Sequence, residues 1–485
     1  MAKYIMFQGT SSHVGKSILT TALCRIFFQQ GFRVAPFKAQ NMALNSFVTA
    51  DGLEMGRAQV AQAEAANIPP AVEMNPVLLK PTGNSSSQVI INGKAVGVMS
   101  AAEYHQGYSL KAFDAVKDAL KKISSEFEIV VIEGAGSPAE VNLKANDIVN
   151  MRVAKFLNAP VILVADIDRG GSLAAIVGTL ELLEPDEREL VKGLVINKFR
   201  GDVKLFLPAV EFLEHKTGKP VLGVVPYIEQ LGIDDEDSVS LDEKISGGGE
   251  ISVAVVRLNK LSNFTDFESL AGEPDVNLFY AKNPDELDNA DLIILPGSKN
   301  TSEDLIFLRE NKFAEKICDA AKNGTPVIGI CGGFQMLGEK IFDPEKTESN
   351  HSELDGLKLL PIETTFNREK FTKQVTFSAP DFEFAGEKIS AENLEGYEIH
   401  SGVTTNLGGK KIIVSKNILG TYVHGIFDND NFRRQILNVI RRRKNLPPLE
   451  VTRNLKAEKQ KNYERLAKIV RENLDMELLE KIMGR

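Results

Sequence analysis

The stretch Tyr4-Ile5-Met6-Phe7-Gln8-Gly9-Thr10-Ser11-Ser12-His13-Val14-Gly15-Lys16-Ser17 decides the fold. Its opening run, Tyr4–Gln8, reads as a strand buried on both faces, and a helical pattern begins at Ile18. Between them lies a turn bounded by Gly9 and Gly15. A strand, a glycine turn and a helix start make an anion site, because backbone N–H groups and the helix dipole converge there. In such a site Lys16 neutralises β/γ-phosphate charge, the Ser17 hydroxyl ligates Mg2+, and Thr10 and Gly15 line the bound nucleotide. Five residues separate the two glycines, where the commoner phosphate loop has four. His13, inside the loop, is read as incidental.

Further apolar runs follow at Phe32–Phe37, Ile129–Ile132, Pro160–Ala165, Leu190–Ile196 and Val221–Val225, separated by longer helix-like segments. This rhythm predicts a parallel α/β sheet over residues 1–232. Parallel sheets bind ligands at the carboxyl ends of their strands. Glu133 ends one run, in Glu133-Gly134-Ala135-Gly136, and is a candidate Mg2+ ligand. Asp166 ends another. Asn197 follows a third and is a candidate to read the adenine edge, or to shape a turn. Residues 233–250, rich in Asp, Glu, Ser and Gly, read as a linker. A second series, Ile251–Leu258, Val276–Tyr280, Leu292–Leu295, Val327–Ile330 and Gly420–Val423, predicts a second sheet over residues 251–432. Residues 433–485 read as a helical tail, with Arg441-Arg442-Arg443 and Glu464–Lys481 as solvated helix faces.

The run Val327–Ile330 ends in Cys331-Gly332-Gly333-Phe334-Gln335. A cysteine at a tight strand-to-helix turn meets a positive helix end, which favours thiolate, and the glycines give it room. It needs a base, and His424 in Gly420-Thr421-Tyr422-Val423-His424-Gly425 also follows a strand. His400 is the second candidate base. The backbone N–H groups of Gly297, in Leu295-Pro296-Gly297-Ser298, and of Gly332 could form an oxyanion hole.

Composition limits the function classes. The chain has 485 residues, 43% hydrophobic and 25% charged, with a net charge of −9. Its length suits two or three domains, each able to bury a core. The acidic balance speaks against a nucleic-acid partner. No run of 18 apolar residues and no leader pattern is present, so neither membrane nor export is expected. The three cysteines, Cys24, Cys318 and Cys331, have no metal-ligand spacing, and a reducing cytoplasm is expected. Cys24 and Cys318 lie on helix patterns and read as structural.

The spaced glycine loop resembles the dethiobiotin-synthetase-like branch of P-loop proteins, which activate carboxyl groups. The Cys331 region resembles the class I glutamine amidotransferases, which hydrolyse glutamine through a cysteinyl thioester. That family carries a Glu two residues after its histidine. Here Ile426 stands there, a departure shared by the cobyric/cobyrinic acid branch, so what orients His424 is open. Asp428 is nearby in sequence.

More specific are Phe37–Ser46, Glu54–Gln59, Asn75–Pro81, Glu133–Glu140, Asn197–Asp202, Leu295–Thr301 and Gly396–His400. In this order they resemble the cobyric acid synthase family of cobalamin biosynthesis over roughly residues 3–430. The resemblance implies two doubly wound parallel-sheet α/β domains, P-loop NTPase-like and class I glutamine amidotransferase-like, plus a helical C-terminal tail. It also implies ATP, Mg2+ and L-glutamine, and a corrinoid substrate, adenosylcobyrinic acid a,c-diamide, amidated at its b, d, e and g carboxylates. Lys38, Gln40, Asn41 and Asn45 are substrate or phosphate candidates, Glu54 a further metal candidate, and Asp147 a further acidic candidate. The rivals are cobyrinic acid a,c-diamide synthase and a partition-type regulatory ATPase; the second leaves Cys331 and His424 without a role.

Overall fold

The computed structural model describes residues 2–82, 85–229, 231–233, 248–451 and 453–485, so most of the 233–250 linker lies outside the described residues. The chain forms two compact units, one of Met1–Ala43, Met55–Asp234 and Lys456–Arg485, the other of Leu44–Glu54 and Asp235–Leu455.

The first unit is built on six parallel strands in the spatial order Val221–Pro226, Val191–Phe199, Val161–Asp166, Lys3–Gly9, Ile129–Glu133 and Val34–Phe37. Each coincides with one of the apolar runs. Lys3–Gly9 is central, with Phe7 paired to Glu133 and Gly9 to Val164. The turn after Gly9 therefore emerges between two acidic strand ends. Helix Lys16–Gln29 buries Leu19, Leu23, Ile26 and Phe27 against this sheet, at spacings of three and four residues. A smaller sheet of Gln40–Met42, Val77–Pro81, Ser86–Ile91 and Lys94–Ser100 extends the unit.

The sequence reading treats residues 433–485 as one tail, but in the structure they divide between the units. Helix Leu455–Asn473 buries Tyr463, Leu466, Ala467 and Val470, an i, i+3, i+4, i+7 stripe, in the same core as Ile5, Phe7 and Leu19. Each large apolar side chain on such a stripe contributes about 1.5–3 kcal/mol. Tyr463 Oη donates to Glu64 Oε2 at 2.8 Å, and Asn473 packs where Gly223 leaves no room for a side chain. The remaining charges of this helix face outward, as expected from Glu464–Lys481.

The second unit has a six-stranded sheet in the order Val276–Ala281, Ile251–Val256, Leu292–Leu295, Val327–Ile330, Ile418–Thr421 and Ile412–Ser415, of which only the last is antiparallel. Beside it runs a long hairpin, Glu363–Phe384 with Glu387–Thr404.

Helix Asp430–Arg443 packs on this unit, and the reading of Arg441–Arg443 as solvated is corrected at Arg441. That side chain is 2% exposed and ion-paired to Asp275 at 3.1 Å and Glu250 at 2.7 Å. Arg433 is fully buried on Glu273 at 2.6 Å, and Arg434 pairs with Glu273 and Asp275. Mutual pairing meets the desolvation cost of these charges, and removing one partner costs about 3–5 kcal/mol.

Candidate functional site

Two groups of residues stand at strand ends, one in each unit. In the first unit, Gly15 takes φ +97° and caps helix Lys16–Gln29. Asn197, 5% exposed, donates from Nδ2 to Val14 O at 2.8 Å, and a Cβ on Gly15 would lie 2.0 Å from that amide nitrogen. Asn197 thus braces the turn from the strand Val191–Phe199. The Thr10 amide donates to Val164 O at 2.9 Å, tying the turn to the other side of the sheet. Lys16 Nζ donates to Ser11 O at 3.1 Å and to Gly136 O at 3.3 Å, so its ammonium lies over the concave face of the turn.

Ser17 Oγ donates to Glu133 Oε1 at 2.9 Å. Glu133 is fully buried, and Lys38 Nζ lies 2.8 Å from the same oxygen. Gln62 Nε2 donates to Glu133 Oε2 at 2.6 Å. Gln62 lies on helix Arg57–Ala65 and was not among the expected site residues; its signal is a polar side chain on a helix buried nearly all round. A hydroxyl and one carboxylate beside a phosphate-type turn suit Mg2+, which takes few protein ligands and keeps waters and phosphate oxygens. Among the described residues no cluster of three His, Cys, Asp or Glu could hold a metal.

The other expected residues fall around these. Gln40 Oε1 accepts from Tyr104 Oη at 2.5 Å, and Asn41 Nδ2 donates to Gln59 at 3.1 Å. Asp147 accepts from the amides of Val149 and Asn150, both at 3.0 Å. Burial raises its carboxyl above the usual range, against those amides. Asn150 in turn grips both the N–H and the C=O of Ala135 in the Glu133–Gly136 turn, so Asp147 supports that turn from behind. Asn45 and Glu54 belong to a different unit from the Glu133 group. Both lie in the second unit, where Asn45 is fully buried and Glu54 pairs with Lys370 at 2.5 Å.

In the second unit, Cys331 has φ +51° and ψ −108° between Val327–Ile330 and the short helix Gly332–Met336. A non-glycine residue held there is strained, as at a nucleophile elbow. Neighbouring glycines make the turn possible: a Cβ on Gly333 would lie 2.0 Å from Leu295 O, and one on Gly332 would lie 2.9 Å from Ser298 N. A Cβ on Gly297 would lie 3.1 Å from His424 Cε1, so the Gly297 turn packs on the histidine as the Gly332 turn packs on Ser298.

The Cys331 thiol donates to Ile399 O at 3.4 Å, and it acts electrostatically on the His424 ring. Its Nδ1 lies 2.6 Å from Asp266 Oδ2, and Asp266 Oδ1 accepts the Gly425 amide at 2.9 Å. His424 and Asp266 are 1% and 3% exposed. Burial opposes charge on His424, but Asp266 and Cys331 together raise its pKa to about 10. With Nδ1 engaged by a carboxylate, Nε2 is the ring atom available to the sulfur. Asp266 therefore stands where the missing triad Glu would act, reached from Phe264–Phe267, past the strand Ile251–Val256. It was missed in the sequence because it is remote from His424 in the chain. Its one signal was an acidic residue past a parallel strand on the edge that carries Cys331.

Tyr397 stacks on His424 with centroids 5.3 Å apart, and its hydroxyl donates to Ser46 O at 3.0 Å. His400 instead stacks on Tyr422 at 3.7 Å, with Nδ1 unpartnered. Burial lowers its pKa to about 4. The folded state then resists a proton that the unfolded chain accepts below about pH 6.5, so this histidine costs stability as pH falls from 6.5 to about 4. His400→Gln is expected to flatten that part of the pH–stability curve by about 2 kcal/mol, read from urea midpoints at pH 7 and pH 4.5. An unchanged slope would contradict the buried neutral imidazole.

Two family descriptions match the chain. Residues 252–432 match the family described as the CobB/CobQ-like glutamine amidotransferase domain, and residues 5–240 the CobQ/CobB/MinD/ParA nucleotide binding domain. The chain thus joins a nucleotide-binding unit to a glutamine amidotransferase unit. It is 52% identical to a cobyric acid synthase of Moorella thermoacetica over 100% of this chain and 98% of that one. It is also 52% identical to one of Carboxydothermus hydrogenoformans over 100% of both, and 55% identical to one of Pelotomaculum thermopropionicum over 92% and 89%. The chain belongs to the cobyric acid synthase family, whose members are amidating ligases. Among the described residues no helix is long and apolar enough to cross a membrane.

Proposed function

We propose that this chain converts adenosylcobyrinic acid a,c-diamide to cobyric acid by amidating its b, d, e and g carboxylates, with ATP and Mg2+ for activation and L-glutamine as nitrogen donor. One observation carries the reading: a Cys331–His424–Asp266 array and a Ser17–Glu133 pair beside a phosphate-type turn occur in one chain. A carboxylate resists ammonia because hydroxide leaves poorly. Activation by phosphate and local release of ammonia together remove that obstacle. The corrinoid is taken from the family. The three free cysteines suit a reducing cytoplasm.

In the second unit His424 takes the Cys331 proton, and the thiolate adds to the glutamine side-chain amide. The N–H groups of Gly332 and Gly297 receive the oxyanion. His424 returns its proton to the departing ammonia, leaving a thioester, and then activates the water that releases glutamate. In the first unit ATP supplies the γ-phosphoryl group that makes the carboxylate a good electrophile. Lys16 would stabilise that group as ADP leaves, Ser17 and Glu133 would hold Mg2+, which would neutralise phosphate charge, and ammonia would then displace phosphate from the acyl phosphate.

Asp266 has a positioning role, holding the His424 tautomer. Asp266→Asn is expected to cut glutaminase turnover about 10²–10⁴-fold and to move its pH profile, because the imidazolium loses its counter-charge. Ammonium-driven amidation should persist. Loss of both activities in a folded variant would assign Asp266 a purely structural role.

The substrate is tested by mass spectrometry of products from adenosylcobyrinic acid a,c-diamide. One phosphate-type turn and one thiol serve four carboxylates, so the substrate must release and rebind. Tri-, tetra- and pentaamides should appear free in filtrates before the hexaamide. Hexaamide with no free intermediates would exclude this dissociative scheme.

A further inference from the structure

Three donors, one of them an ammonium, already occupy Glu133. Ser17 Oγ and Lys38 Nζ both meet Oε1, at 2.9 and 2.8 Å, while Gln62 occupies Oε2 at 2.6 Å. Lys38 is 4% exposed and follows the strand Val34–Phe37, whose Phe37 pairs with Ile132. Its backbone is fixed as well: its amide donates to Met74 O at 2.9 Å and its carbonyl accepts from Asn75 at 3.2 Å. The side chain is thus directed at Glu133 by the sheet itself. Gln62 Oε1 and Gln59 Nε2 are fully buried without partners, a cost tolerated where a ligand or its water completes the bonds.

We propose that Lys38 is the resident counter-ion of the metal seat: its ammonium and the divalent cation compete for Glu133 Oε1, and cation binding releases Lys38 toward an anionic group. This rests on the reading that Ser17 and Glu133 hold the cation. A carboxylate buried in a parallel sheet is costly to leave without a counter-charge, and Lys38 supplies one here. Lys38 fills the seat before the metal arrives, and Gln62 keeps the second oxygen from turning away. A residue freed only by metal binding makes capture of anionic substrate conditional on a loaded nucleotide site.

The test uses the full chain, with Mn2+ alone as probe and its binding followed by electron paramagnetic resonance. Lys38→Met and Lys38→Gln should each bind Mn2+ at least about tenfold more tightly than the unaltered protein. Each should also gain a larger rise in melting temperature from Mn2+. Lys16→Met removes the same charge from the phosphate-type turn, where its ammonium bonds Ser11 O and Gly136 O, and is the charge control. An equal gain in Lys16→Met, or none in either Lys38 variant, overturns the exchange. Ser17→Ala tests the underlying reading separately. If it leaves Mn2+ binding intact, the seat itself is misassigned and the exchange falls with it. If it weakens binding while the Lys38 variants do not gain, the seat stands and only the exchange is lost.

Discussion

Cys331→Ala is expected to lose glutamine-supported amidation by about 10⁴-fold or more while amidation from ammonium at alkaline pH stays near normal. The first effect is large because the thiol is the bond-forming atom, and loss of a nucleophile removes nearly everything its array contributes. The second follows from the separation of the chemistry. The phosphate-type turn, Lys16, Ser17 and Glu133 all belong to the first unit, and none of them bonds to Cys331. Removing one sulfur at a 7% exposed site leaves a cavity smaller than a methylene deletion in the core usually makes, so the fold should survive. Parallel assays with glutamine and with ammonium chloride decide the matter. A folded Cys331→Ala protein inactive with both would mean that the two activities are not separable as described.

Lys16→Ala should give the complementary result, with amidation falling about 10³-fold or more from either nitrogen source. The ammonium now bonded to Ser11 O and Gly136 O is the one positioned to follow charge onto the transferring phosphoryl group. Lys16 is the one lysine or arginine in the turn. Basal glutamine hydrolysis should remain, because its residues lie in the other unit. Near-normal amidation in Lys16→Ala would refute the phosphate assignment of the turn.

Buried parallel strands were legible because apolar residues on both faces leave a continuous run, and all six in the first sheet were placed that way. The long hairpin Glu363–Phe384 and Glu387–Thr404 was not read, although Thr364, Phe366, Val375 and Phe384 are buried between exposed polar neighbours. Such half-buried alternation is a weaker signal, and charged outward residues such as Arg368 and Lys373 mask it. Cys331 and His424 were legible because each ends a strand beside glycine. Asp266 was not, because its role depends on topology: two parallel strand ends must meet before it can reach Nδ1. Arg433 and Arg441 misled for the opposite reason. A basic helix face ordinarily faces water, and only partners from a distant loop, Glu273 and Asp275, make burial tolerable.

The return of Leu455–Asn473 and Met476–Ile482 to the first core has a consequence for how the protein is made. A ribosome releases the amino end first, and at about 5–20 residues per second the closing helix emerges roughly half a minute or more after the central strand. Throughout that interval the surface that will receive Tyr463, Leu466 and Val470 is bare. The first unit therefore waits as an apolar, incomplete body while the second is synthesised and folds on its own sheet. A nascent chain of this protein exposes that surface until the last helices arrive, and premature termination anywhere after the second unit leaves the nucleotide-binding half unfinished rather than merely shortened.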